Sequence, residues 1–212
     1  VADFTFISKV LEAPFVLTVN AALPINSIAE LVTYAKANPQ KLNYASFGVG
    51  SAGHIFFEIL SQQTGIRATH VPYKGGIAAA NDLAAGQIQF MFAEVAPVMP
   101  LIKAGKLRPI AVASPKRIAL LPEVPTFIES GFPGFISIVS WGLYLPTGVV
   151  TSVIAQLQID VRRVMTDPDL VKRFAELGFE AQYSSPDEYR QFLAAETIKY
   201  ARIIKENRIK AE

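Results

Sequence analysis

Four times along the chain an amphipathic helix ends in a glycine and a short strand follows at once. Helix 52–64 stops at Gly65 before strand 68–73, and helix 77–85 stops at Gly86 before strand 87–92. Helix 98–104 stops at Gly105 before strand 107–113, and helix 170–177 stops at Gly178 before strand 179–183. Glycine suits each stop because it takes the left-handed conformation without a Cβ clash. Strands alternating with helices of this length predict an α/β sheet with helical covers. Helix starts are legible too. Ser27-Ile28-Ala29-Glu30 and Ser185-Pro186-Asp187-Glu188 are capping boxes. The first predicts a helix from about Ile28 to Ala37, and the second carries proline in the first helical position. Asp167-Pro168 breaks the helical pattern that begins at Ser152 and caps the next helix.

The segment Ser114 to Phe135 lacks periodicity and carries Pro115, Pro122, Pro125 and Pro133, so it is expected to be a long connection crossing between lobes. One α/β lobe is therefore expected at residues 14–139. The remainder, residues 1–13 plus 140–212, is helix-rich and has Phe4 to Val10 as its one evident strand. A sheet that small cannot cover those helices, so this lobe is expected to be incomplete.

Composition narrows the function classes. The 212 residues are 51% hydrophobic and 18% charged, which is globular rather than disordered. The net charge is +2 with no basic run, so no nucleic acid is implied. With no cysteine, disulfides and zinc-thiolate sites are excluded. No apolar run reaches membrane-span length; Ile88 to Met99 is interrupted by Glu94 and Pro97. The chain begins at Val1 without a signal peptide, and is expected to be processed or cut from something longer.

The sharpest motif is the strand Leu42 to Phe47 running into Gly48-Val49-Gly50-Ser51-Ala52-Gly53-His54. Its glycines permit a tight turn and close approach of a ligand to main-chain N–H groups. The free N–H groups and dipole of the following helix start favour an anion. The expected donors are Ser51 and the N–H groups of Gly50 to Gly53, with His54 in support. The same residues match Gly-x-Gly-x-x-Gly, which keeps a dinucleotide-dependent oxidoreductase as the alternative. That fingerprint wants an acidic residue about twenty positions on, where this chain has Tyr73-Lys74. A serine-hydrolase elbow fails because Val49 stands where glycine is needed. Two histidines without cysteine make a poor metal set, so no metal and no cofactor are expected.

A second strand end, His70-Val71-Pro72-Tyr73-Lys74-Gly75-Gly76, brings another helix start to the same sheet edge. Lys74 there reads as a solvated lysine or a cation for the ligand, and Tyr73 as a core aromatic or a ligand contact. Glu94, after strand 87–92, either recognises a ligand amine or faces water; water is the ordinary expectation. Trp141, the single tryptophan, is expected to line a cleft or hinge. The charged residues between Glu196 and Lys210 are expected to form a solvated helix face.

Together these residues carry a resemblance. Asn43-Tyr44 through the glycine-rich loop to His54, then His70 to Gly75, Lys103 to Arg108 and Leu121 to Thr126, in this order, resemble the Bug-type solute receptors. Those are the extracytoplasmic binding proteins of tripartite tricarboxylate transporters. The resemblance runs from Asp3-Phe4-Thr5 to the C-terminal helix. It implies a type II periplasmic-binding-protein-like fold of two lobes and a periplasmic location. It also implies a small carboxylate ligand, delivery to membrane transporter subunits, and no enzymatic reaction. By position Gly48 to His54 is similar to the family's second-lobe carboxylate loop, and Tyr73 to Gly75 to its neighbour, while Trp141 would cover the ligand. Two departures stand out. The family's initial strand-loop-helix region, with the first-lobe carboxylate loop, has no counterpart here, so self-association over the incomplete lobe is expected. Ala93-Glu94 stands where the family often has Asp and a small or amide residue, and an acidic group there can select a ligand amine. A sensor domain of a regulator shares the fold, but the DNA-binding region it would usually carry is not visible.

Overall fold

In a computed structural model, residues 3–39, 41–207 and 209 are described. The elements run β1 (Phe4–Pro14), β2 (Val16–Asn20), α1 (Ile28–Ala37), β3 (Asn43–Ser46), α2 (Ala52–Thr64), β4 (Thr69–Pro72), α3 (Gly76–Ala84) and β5 (Phe90–Ala93). They continue α4 (Val95–Lys103), β6 (Leu107–Val112), β7 (Ile138–Pro146), α5 (Thr151–Met165), α6 (Pro168–Glu176), β8 (Glu180–Ala181) and α7 (Pro186–Glu206). They form two compact units: Val1–Ala13 with Val139–Ala201, and Pro14–Ile138 with Arg202–Glu212. The segment from Arg202 therefore joins the larger unit, whereas the sequence reading left it with the smaller one. A 21-residue helix is about 31 Å long, and near its end Ile203 is buried and Asn207 accepts a hydrogen bond from Gln62 of α2.

The larger unit is built on a five-stranded sheet, order β4-β3-β5-β2-β6. β3 runs parallel to β4 and β5, while β2 is antiparallel to β5 and β6. β2 and β5 are buried along their whole length, Thr18 and Asn20 included, and β5 reads as a continuous apolar run rather than an alternating one. The two faces divide by alternation. Ala45, Met91 and Ala93 pack with Ala79, Ala80 and Leu83 of α3 and Val98 of α4. The other face is aromatic: Tyr44 lies 3.9 Å from Phe57 of α2 between ring centroids, and Phe92 lies 6.1 Å from Phe56. The crossovers from β3 to β4 and from β4 to β5 run in opposite directions along the sheet, which places α2 and α3 on opposite faces.

Two expectations are corrected here. Residues 114–135 do not leave the larger unit. Leu121 and Val124 pack on Val16, Val95 and Val112, and Phe127 stacks on Phe135 at 4.1 Å beside Phe92. Prolines removed the periodicity, but irregularly spaced apolar side chains still bury against the sheet. Helix α4 begins at Val95 rather than Val98. Pro97 is tolerated in its first turn, where the N–H would have no helical acceptor.

The smaller unit holds the sheet β7-β1-β8, in which β1 pairs antiparallel with β8 (Leu11 opposite Ala181, Glu12 opposite Glu180). β7, which the sequence reading missed, contains Gly142, and a Cβ there would collide with the Tyr189 ring. Tyr189 is buried against Phe6 and Tyr144. This unit exposes many large apolar side chains, with Val150 63%, Ile159 62% and Ile198 73% accessible. Glu196 to Glu206 carries the ion pairs Lys199–Glu196 and Arg202–Glu206 on its surface; Lys210 lies outside the described residues.

Candidate functional site

Three parallel strands deliver three helix starts to one edge of the five-stranded sheet. β3 leads to α2 through Ser51, β4 to α3 through Gly75, and β5 to α4 through Glu94. β3 sends its connection through α2 towards β4, whereas its neighbour β5 sends one through α4 towards β6; this reversal between adjacent strands is the switch point where open α/β sheets bind ligands. The loops meet there. A Cβ on Gly76 would stand 3.2 Å from the Phe47 ring and 3.4 Å from Pro97, so the starts of α3 and α4 and the loop after β3 are in contact.

Each glycine of the β3–α2 loop has its own reason. Gly48 has φ 121° and Gly50 φ 76°, both in the left-handed region and both without crowding at a notional Cβ. Gly53 is sterically required instead. A Cβ there would lie 3.1 Å from the carbonyl oxygen of Phe92 and 3.6 Å from Ser46 Cβ, so its absence lets α2 seat directly on the ends of β5 and β3.

The donors of this loop are redistributed from the sequence expectation. The Gly50 N–H donates to His54 Nδ1 at 3.0 Å, and the Ser51 N–H donates to the Gly48 carbonyl at 3.2 Å. Neither faces a ligand freely, which corrects the reading that all N–H groups from Gly50 to Gly53 are available. The N–H groups of Ala52, Gly53 and His54 donate to no acceptor among the described residues. Ser51 Oγ is buried and makes no hydrogen bond among the described residues, although Ser51 occupies the N-cap of α2. A helix N-terminus with three unspent N–H groups and an unpartnered hydroxyl is suited to a carboxylate.

Beneath the loop lies a polar and aromatic cluster that sequence reasoning left unassembled. Ser46 Oγ donates to the Gly48 carbonyl at 2.9 Å, accepts the Gly48 N–H at 3.1 Å, and lies 2.6 Å from His70 Nε2. His54 stacks on His70 at 4.2 Å, and His70 on Tyr44 at 4.9 Å. The register Tyr44 opposite His70 explains the second contact, and alternation puts Ser46 on the same face as Tyr44. That period-two pattern was the available signal. Burial pushes His70 down to about 4, with His54 beside it as the second cause, and burial also lowers His54. Burial first and Glu58 second drive Tyr44 far above its usual range.

The remaining candidates are spread around this edge. The Tyr73 hydroxyl donates to Asp82 of α3 at 2.7 Å, so its polar end is already engaged. Lys74 is exposed. Gly75 is the N-cap of α3 with an extended backbone that any residue can adopt, and the glycine under steric demand is Gly76. Glu94 is half-buried rather than facing open water; burial raises its pKa, and its side chain makes no cap bond. Trp141 belongs to the other unit, on β7, edge-on to Phe179 at 5.4 Å. No group of three or more His, Cys, Asp or Glu able to hold a metal occurs among the described residues. A concavity of about 530 Å³ lies at the opposite sheet edge beside Asn20, Ala85, Gly105 and Lys106. It faces the C-terminal ends of α3 and α4, the wrong dipole ends for an anion. No helix among the described residues is long and apolar enough to cross a membrane.

Comparison with known proteins identifies the fold and the family. The structure superposes on R. palustris Rpa4515, solved with adipate, at a TM-score of 0.90 and 31% identity, covering 96% of this chain and 68% of that one. It superposes on the periplasmic binding protein BugD at 0.89 and 29% identity, covering 99% and 71%. It superposes on MatC from Rhodopseudomonas palustris, solved with malate, at 0.85 and 26% identity, covering 95% and 69%. The fold is thus the α/β fold of periplasmic binding proteins. The chain spans 62–63% of the length of the first curated relatives it matches. The model of the tripartite tricarboxylate transporter family receptor matches residues 1–209, and the chain belongs to that family, among its Bug-type members.

Proposed function

We propose that this chain is the carboxylate-gripping part of an extracytoplasmic solute receptor that hands a small organic acid to membrane transporter subunits and catalyses no reaction. The observation that carries the reading is the buried, unpartnered Ser51 hydroxyl at a helix start with three unspent N–H groups. One carboxylate oxygen would accept from Ser51 Oγ and the other from the N–H groups of Ala52, Gly53 or His54. Gly48 and Gly50 shape the turn. Lys74 and Gly75 at the start of α3 supply positive potential to the same edge, and the Tyr73 ring, its hydroxyl held by Asp82, supplies a wall. Glu94 tunes specificity towards ligands bearing a hydroxyl or amine donor, since an unpaired half-buried carboxylate repels a second carboxylate placed against it. Receptors of this kind work outside the cytoplasm, so a periplasmic location belongs to the same proposal.

The relatives solved with adipate and malate define the panel. Isothermal titration of the chain with malate, adipate and NADH is expected to show saturable heat with at least one dicarboxylate and none with the dinucleotide. Tight NADH binding with no carboxylate response would overturn the proposal.

A further inference from the structure

Two stacked histidines grip the glycine-rich loop from different elements. His54, on the first turn of α2, accepts the Gly50 N–H at Nδ1. His70, on β4, reaches Gly48 through Ser46, whose Oγ bonds both the carbonyl and the N–H of Gly48. The Gly50 bond fixes the His54 proton. An Nδ1 that accepts a backbone N–H carries no hydrogen, so His54 is neutral with its proton on Nε2, 3.8 Å from Glu58 Oε1. Ser46 Oγ and His70 Nε2, 2.6 Å apart, share one hydrogen, carried by whichever of the two the His70 tautomer sets.

The Gly50–His54 bond decides what the loop offers a ligand. It removes one N–H from the ligand side and locks the left-handed turn, which leaves Ser51 Oγ and the N–H groups of Ala52 to His54 fixed at the helix start. We propose that His54 is a positioning residue of the carboxylate loop: its neutral ring holds Gly50 in place, and protonation at Nδ1 releases the loop and weakens carboxylate binding. This rests on the carboxylate-receptor reading above. His70, through Ser46 and Gly48, is the second positioning residue. Protonated His54 has no lone pair for Gly50, and two N–H groups then point at each other. A charge on His54 is also opposed by any charge on His70, 4.2 Å away.

The groups around the pair are Tyr44 and Ser46 from β3, His70 from β4 and Glu58 from α2. Glu58 is the carboxylate facing His54. It faces Nε2, which bears a proton in both states, so it orients the ring without competing for Nδ1. Burial lowers both histidines and raises Glu58, so the clamp is closed at neutral pH. The sign follows: binding needs the deprotonated ring, so affinity is full above the His54 pKa and falls as pH drops through it, by up to about tenfold per unit.

Two arms test this. In ligand-free protein, imidazole ¹⁵N NMR from pH 8 to pH 4 is expected to show an unprotonated His54 Nδ1 at pH 8. Hydrogen exchange at the Gly50 amide should accelerate, beyond the intrinsic pH dependence of exchange, as that nitrogen titrates. In the second arm, malate and adipate are titrated by calorimetry into wild type, His54→Asn and His54→Phe at pH 8 and pH 5. Asparagine keeps an acceptor oxygen near the Nδ1 place but does not titrate, so it also corrects for protonation of the ligand itself. The ratio of wild-type to H54N affinity is expected to fall at least threefold between pH 8 and pH 5. H54F, which keeps the stacking but lacks an acceptor, is expected to bind tenfold or more weakly at both. Equal pH profiles for wild type and H54N, or Gly50 exchange indifferent to His54 titration, would overturn the clamp. Failure of wild type to bind either acid at pH 8 would overturn the carboxylate reading instead, with the exchange arm still deciding the clamp.

Discussion

Replacing Ser51 by alanine should separate binding from stability, because this residue occupies a cap position without performing a cap's usual task. At Ser27, the N-cap of α1, the side chain accepts the Glu30 N–H at 3.1 Å. Removing such a bond costs about 1 kcal/mol. Ser51 Oγ makes no bond at all and is buried, so the free protein already bears an unsatisfied hydroxyl, a burden of about 1–3 kcal/mol. Ser51→Ala should therefore leave the melting temperature unchanged or raise it. Ser27→Ala should lower it by about 2–4 °C for a chain of this size. With ligand the order reverses. A hydrogen bond to a charged group contributes about 1.5–3 kcal/mol, so S51A should weaken malate or adipate binding about ten- to hundredfold, while S27A leaves it intact. Differential scanning calorimetry gives the first pair of values and isothermal titration the second. If S51A destabilises as much as S27A yet binds normally, the hydroxyl is a structural cap and the assignment of the anion to this helix start is wrong.

Gly53→Ala pushes a methyl to 3.1 Å from the Phe92 carbonyl, a backbone atom that cannot swing away, and is expected to cost about 1–3 kcal/mol in chemical denaturation and to weaken binding as α2 lifts off the sheet. Tyr73→Phe removes the bond to Asp82 and should cost about 0.5–1.5 kcal/mol by denaturant titration while carboxylate affinity stays within twofold; a large affinity loss would return the hydroxyl to the ligand. The smaller unit, with Val150, Ile159 and Ile198 exposed, is expected to drive concentration-dependent association in light scattering; a monomer at high concentration would refute that expectation.

Short-range signals were legible wherever one or two residues settle the backbone. Gly65, Gly86, Gly105 and Gly178 all adopt positive φ at the helix ends read from the sequence. The Ser185–Glu188 box closes in both directions, at 2.7 Å and 3.3 Å, and α1 runs from Ile28 to Ala37 as expected. At the first box the Glu30 carboxylate reaches Asn26 rather than Ser27, a detail of side-chain reach. Strand lengths were less legible. The expected strand 87–92 is observed as Phe90–Ala93, because a strand's own residues say nothing about where its partners begin and stop. β7 escaped notice because Gly142 breaks its pattern, and Gly142 is there for Tyr189, forty-seven positions away.

The glycine-rich loop shows the same division within one motif. Sequence by itself determined that a tight turn and a helix start follow β3, and that an anion suits such a place, because glycine freedom and the helix dipole are local properties. Only the tertiary structure decided which donors are open. Gly50 is held by His54, Ser51 Oγ has no partner, and His54 rests on His70 because β3 pairs in parallel with β4 and α2 lies across both. Those outcomes depend on strand register and on which face each side chain takes, and neither is set until distant segments have paired.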